Sequence, residues 1–116
     1  MKTRDQQRAL YAYKEADKVE ADHREEFKTG ARSLPSTIQS CGLIQAFSFY
    51  HKGQKAEVRK KVAAWLENHP FFREDLAVEG DITVKLSSQD IETYRMMQAE
   101  AIEYAVWLKR ATESWS

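Results

Sequence analysis

The basic side chains are the residues of this chain whose types and spacing could do chemistry. Lys52, Lys55, Arg59, Lys60 and Lys61 fall close together against a single acid, Glu57. Lys2, Arg4 and Arg8 form a second set near the N-terminus, and Lys109 with Arg110 a third near the C-terminus. The stretch Glu79 to Glu103 runs the other way, with six acids against Lys85 and Arg95. Cations grouped in this way attract a polyanion, and faces of opposite sign steer a polyanion to one side and a basic partner to the other. The competing reading, and the commoner meaning of such runs, is a set of solvated helix faces. Over the whole chain 18 Lys plus Arg balance 18 Asp plus Glu. That excludes a strongly basic DNA-binding domain, whose pI lies above about 9. It leaves room for a local basic patch.

Other chemistries find little support. Cys41 stands alone, and His23, His51 and His69 lack ligand-like spacing, so neither an internal disulfide nor a thiolate zinc site is expected. There is no G-x-S-x-G, no P-loop and no H-E-x-x-H. Glu25–Glu26 and Glu79–Asp81 read as solvated surface, His69 before Pro70 as a helix end, and Cys41 as a small core side chain. The expectation is a protein without catalytic residues, metal, cofactor or small-molecule substrate. A single cysteine fits a reduced, cytoplasmic compartment. The opening MKTRDQQRAL has no apolar stretch, so no secretory signal is expected. Ser33 to Tyr50 is uncharged but carries too many polar residues for a membrane span. Of the three tryptophans, Trp65 and Trp107 are expected in the core, and Trp115 as an exposed partner contact. Tyr50, beside His51 and Lys52, is the one local match to an aromatic base-stacking platform among cations.

The elements that must carry these residues read as helices. Length allows one domain, residues 1–116, and Ala, Glu, Lys, Gln and Arg dominate while only four Gly and two Pro interrupt. Thr3 with Gln6 is a capping-box pair. Ala9, Tyr13, Ala16, His23 and Phe27 then recur at helical spacing, with Glu20 on the same stripe, so a first helix is expected from Thr3 to Lys28, stopped by Gly30. Ser33 and Pro35 open a second, central helix that contains Gly42 in its interior and ends at Gly53. A third is expected from Lys55 to His69, closed by Pro70, with Val58, Val62, Trp65 and Leu66 inward. Ile82, Val84 and Leu86 alternate with Thr83 and Lys85, which suggests an extended stretch. Ser87 with Asp90 suggests a cap, and a fourth helix of roughly 40 Å runs from Ser88 to Trp115. The expected fold is thus all-α: a small single-domain bundle of four main helices plus an irregular Pro70–Leu86 segment.

Three segments carry a resemblance. KTRDQQRALYAY at the start, LPSTIQSCGLIQAFSFYHKG (Leu34 to Gly53) and EAIEYAVWLKRATES (Glu100 to Ser114) resemble, in order, segments of the small helical subunit of the Cmr effector complex, the type III-B CRISPR RNA-silencing machine. The second has the form L-P-x-x-I-x-x-x-G-L-x-Q-A, and the third leads into W-L-K-R. The resemblance implies a non-catalytic subunit that stacks along the guide/target RNA channel and stabilises target RNA binding in antiviral defence. Its implied partners are other subunits of the complex (the repeated backbone subunit and further copies of itself), guide RNA and target RNA. Base pairing would read the sequence, leaving shape and charge to the protein. The RNA-facing residues it implies are Arg4, Gln45, Lys52, Lys109 and Arg110, with Arg59 added from the basic run. For Gln45 a hydrogen-bonded core position is an equal reading. The alternative function is a protein–protein adaptor with little direct RNA contact.

Overall fold

The computed structural model describes residues 1–115. Among them there are six helices and no strand. They are α1 (Arg4–Asp17), α2 (Arg24–Cys41), α3 (Leu43–Phe49), α4 (Gly53–Asn68), α5 (Ile82–Ser87) and α6 (Ile91–Glu113). The all-α, single-bundle expectation holds, and the helix boundaries differ in instructive places.

The capping box forms as the sequence suggests: Thr3 Oγ1 accepts from the Gln6 amide, and Gln6 Oε1 accepts from the Thr3 amide. The helix it opens, however, ends at Asp17 instead of Lys28. Val19 turns inward at 9% exposure, a single 3₁₀ turn at Ala21–His23 follows, and the chain re-enters as α2. The Arg24 guanidinium donates to the Val19 carbonyl at 3.0 Å, satisfying an acceptor that the break would otherwise orphan. Glu20 on the apolar stripe is the sequence trace of this break, since a charge there cannot stay in the core register.

Helix α2 therefore runs through both expected punctuation marks. Gly30 is buried and faces α4, where an added Cβ would lie 3.3 Å from Lys55 Cγ. Its carbonyl also accepts from the buried Tyr50 hydroxyl at 2.7 Å. Pro35 sits inside the helix and withholds an amide donor. Ser36 and Thr37 nearby bond back to the Ser33 carbonyl.

The expected central helix breaks at Gly42, which has φ +85° and ψ 160°, a conformation open essentially to glycine alone. The first amides of α3 are capped from a distance. The Leu43 N–H donates to Gln98 Oε1 at 2.9 Å, and the Ile44 N–H donates to the Tyr94 hydroxyl oxygen at 3.0 Å. Cys41 ends α2 on the exposed side, so it is not the core side chain its type suggested.

The Ile82–Leu86 alternation is helical, not extended. Ile82 and Leu86, four residues apart, are buried together while Val84 stands 59% exposed. First and fifth positions share a face in either period, so only Val84 distinguishes the two. The Asp81 carboxylate settles the matter by accepting from the Thr83 amide as N-cap. Asp90, not Ser87, caps α6 through the Thr93 amide. Pro70–Leu76 is a run of turns that buries Phe72 and Leu76.

Helix α6 is the spine. It packs on α1, α2 and α4. Against α2 it runs antiparallel, with Trp115 near Phe27 at one end and Gln98 near Gly42 at the other. At about 1.5 Å per residue its 23 residues span most of the 41 Å longest dimension. Helix α1, at 14 residues, does not. Gly42→Ala is expected to destabilise by about 1–3 kcal/mol because of its backbone angles, not because of crowding, since the nearest atoms to an added Cβ lie at 3.5 and 3.6 Å. Urea denaturation tests this, and an unchanged midpoint would refute it.

Candidate functional site

Two regions concentrate polar chemistry: a buried charged junction between helices, and the basic surface.

The junction centres on Glu100. Arg8 of α1 forks onto its carboxylate, Nε to Oε2 at 2.7 Å and Nη2 to Oε1 at 2.8 Å. The Trp65 indole of α4 donates to Oε2 at 2.9 Å. His69 Nε2 lies 3.9 Å from Oε1. The Arg8 and Glu100 side chains are 12% and 11% exposed. Burial pushes the Glu100 carboxyl up, but the hydrogen bonds from Arg8 and Trp65 and the Arg8 charge prevail and hold it below its usual range. Arg8 is correspondingly held charged by Glu100, against the cost of burial, with help from Asp5. Behind the junction, the Trp65 ring stacks on Tyr104 at 4.9 Å and Tyr11 meets both rings.

His69 is the histidine closest to a functional environment. Its Nδ1 accepts from the Phe71 amide at 3.2 Å, so Nε2 carries the proton of the neutral ring. Its ring lies against Phe72 and edge-on to Trp65. Burial lowers its pKa, Glu100 opposes the shift, and Arg8 and Arg4 reinforce it. Tyr104 is fully buried, and among the described residues its hydroxyl has no hydrogen-bond partner; burial drives its pKa far up. Through Glu100 the junction ties α1, α4 and α6 together.

The basic surface is smaller than the sequence suggests. Within the Lys52–Lys61 run, Arg59 donates to the Phe47 carbonyl at 2.8 Å and grips both oxygens of Asp81 at 2.7 and 2.8 Å, with its side chain 15% exposed. It joins α3, α4 and the start of α5 instead of standing free for RNA. Lys60 pairs with Glu57 and Lys61 with Glu15. Lys52 is exposed, and Lys55 is exposed with its ammonium 5.3 Å from the Tyr50 ring centre. The acidic run is likewise partly spent, on Arg59 by Asp81, on Arg8 by Glu100 and on the α6 cap by Asp90.

The remaining sequence candidates fall in different places. Gln45 is exposed on α3, which removes the core reading. Arg110 is exposed with its guanidinium 5.0 Å over Trp107, and Lys109 is half-buried beside it. Among the described residues neither makes an ion pair, nor does Lys52. Arg4 is exposed far from Lys52, over the ring of Phe71. Trp115 is half-buried, tilted on Phe27 with Arg24 over its ring at 4.6 Å, so intrachain contacts take much of its surface. Tyr50 is 2% exposed and offers no stacking platform. Trp65 and Trp107 are packed but not sealed in the core. Glu26, read as plain surface, lies at the N-terminus of α4 and accepts from the Gln54 amide at 3.3 Å. Sequence reasoning missed Glu100, Tyr94 and Gln98 because nothing in local spacing marks a partner 35 to 92 positions away. Among the described residues no helix is long and apolar enough to cross a membrane.

These contacts make two quantitative expectations. Glu100→Ala leaves Arg8 and the Trp65 indole without their acceptor and should cost about 3–5 kcal/mol, whereas Tyr104→Phe removes an unpaired buried hydroxyl and should leave stability unchanged or raise it. Thermal melts of the two variants decide this. The fold also favours neutral His69, so its contribution is whole above the ordinary value of 6.5 and is lost as pH falls toward the lowered folded value. Loss of the Glu100 contribution follows at lower pH, below 4.5. Between about pH 7.5 and about pH 5.5 the wild-type melting temperature should drop. His69→Asn, which keeps an acceptor for the Phe71 amide, should flatten that part of the curve.

The comparisons with known proteins agree with this architecture. The sequence model of the family described as CRISPR-associated protein (Cas_Cmr5) matches residues 4–115. The CRISPR system Cmr subunit Cmr5 of Thermotoga maritima is 30% identical, over 97% of this chain and 84% of that protein. A crystal structure of a CRISPR-associated Cmr5 family protein from Thermus thermophilus has the same fold, with a TM-score of 0.79 at 23% identity over 97% of each chain. With a family match spanning all six helices, this chain belongs to the Cas_Cmr5 family of CRISPR-associated proteins.

Proposed function

We propose that this chain is a non-catalytic small subunit of a type III-B CRISPR (Cmr) ribonucleoprotein, stacking along the guide/target RNA channel and stabilising bound target RNA. Its partners on this reading are the other Cmr subunits, further copies of itself, and the two RNAs, in the cytoplasm. The observation that carries the reading is the family match across residues 4–115. Lys52, Lys109 and Arg110, which have no acid to neutralise them among the described residues, are the cations it assigns to the RNA backbone. Exposed Gln45 is a neutral hydrogen-bonding group for the same ligand. Arg59 supports the reading only indirectly, by fixing α4 against α3 and α5.

The antiparallel pairing of α2 with α6 supports a single RNA-facing end. Trp115 meets Phe27, and Glu26 meets the start of α4, so the first turn of α4 and the last turn of α6 both lie by the first turn of α2. Lys52 and the Lys109–Arg110 pair thus approach one end of the bundle from two helices. Phosphate contacts of this kind hold a backbone without reading bases.

Double replacement Lys52→Glu and Lys109→Glu should weaken target RNA capture by the assembled complex for every target alike. The salt slope of binding should fall by about 0.7 for each single-strand phosphate that is no longer neutralised, and discrimination between matched and mismatched targets should not change. Target-binding titrations at several salt concentrations measure both. Normal capture by the double variant would refute these assignments, and loss of the variant from the complex would favour the adaptor function.

A further inference from the structure

The first turn of α1, the Pro70–Phe72 turn and the outer face of α6 enclose an open groove of about 460 Å³, walled by Phe71, Met96 and Ala99. Phe71 is 62% exposed and Met96 57%. The Phe71 ring is nonetheless held in place. Its amide donates to His69 Nδ1 at 3.2 Å, the Arg4 guanidinium sits 5.5 Å from the ring centre, and the His69 ring lies 5.6 Å away. A fixed aromatic beside an adaptable methionine is the composition of a protein contact, where the ring fills a partner's recess and the thioether adjusts.

The charges identify the occupant. The groove floor is the Arg8–Glu100 pair, which neutralises itself. The rim carries Arg4 and Glu103, of opposite sign, and neither has an ion-pair partner among the described residues. With Asp5 also paired to Arg8, two cations stand against three anions and give an RNA backbone no net pull, in contrast to Lys52, Lys109 and Arg110. A protein surface with an apolar side chain set between a carboxylate and a cation matches every feature: the apolar group meets Phe71 and Met96, the carboxylate Arg4, the cation Glu103. We propose that this groove docks a neighbouring protein subunit of the assembly with that pattern, which assigns Arg4 to a protein partner and not to RNA. The proposal rests on the reading of the chain as a Cmr subunit.

The test is co-purification of the full chain with the remaining Cmr subunits and guide RNA. Wild-type protein that fails to enter the complex would sink the functional reading itself. Given wild-type entry, Met96→Glu and Arg4→Glu, each on an exposed side chain, should reduce incorporation at least tenfold at limiting concentration, with unchanged melting temperature of the isolated chain. Arg32→Glu, on an exposed side chain outside the groove lining, should incorporate normally. Incorporation of Met96→Glu and Arg4→Glu at the wild-type level would overturn the proposal. So would normal incorporation with a loss of target RNA capture confined to Arg4→Glu, which would return that residue to RNA.

Discussion

One carboxylate sets the relation of three helices. Glu100 on α6 accepts the Arg8 fork from α1 and the indole proton of Trp65 from α4, with both charged side chains little exposed. Each donor needs the acceptor, because a buried charge or N–H without one costs more than the bond returns when it is made. The geometry also carries directional information that apolar packing lacks. Arg8 fixes the rotation of α1 about its axis, and Trp65 fixes that of α4, so the Tyr11–Trp65–Tyr104 cluster has one arrangement in which to close. The unpaired Tyr104 hydroxyl lies in the same cluster, sealed among rings whose stacking sets its position.

The same economy of polar groups governs the surface. Much of the charge that looks segregated along the chain is consumed once the helices meet, Arg59 by Asp81, Lys61 by Glu15 and Lys85 by Glu67. What remains divides into two kinds of face. One end carries Lys52, Lys109 and Arg110, which make no ion pair among the described residues. The α1–α6 groove is apolar and balanced in charge. On the proposed function, contact with both a nucleic acid and a protein calls for surfaces of these two kinds, since a uniformly basic surface would bind RNA indiscriminately.

Helical class, the capping box, the third helix and the final long helix were legible in the sequence, because strong local propensity and apolar period agree there with the tertiary structure. The breaks were not. At Val19 no glycine or proline announces the turn, and the carbonyl is satisfied by Arg24 only after the chain has folded back. At Gly42 an apolar run continues through the break, and the caps come from Tyr94 and Gln98. Ile82–Leu86 was too short for its period to decide between strand and helix. Arg59 looked like a surface cation for the same reason: its two acceptors, Phe47 and Asp81, lie twelve and twenty-two positions away. The family resemblance was legible because it rests on residue identity, which survives where periodicity misleads.

The distant caps on α3 have a consequence for the order of assembly. A seven-residue helix does not hold itself together in water, and the amides of its first two residues find their acceptors on α6, fifty-five and fifty positions further along the chain. As the chain leaves the ribosome, α2 and α4 can acquire helical character early from local contacts, but α3 must wait for α6 to be made. Until then Leu43, Ala46 and Phe47, all fully buried in the finished protein, have no shelter. The Leu43–Phe49 segment therefore stays open to aggregation during synthesis, and the last helix to be synthesised completes the fold of one made more than forty residues before it.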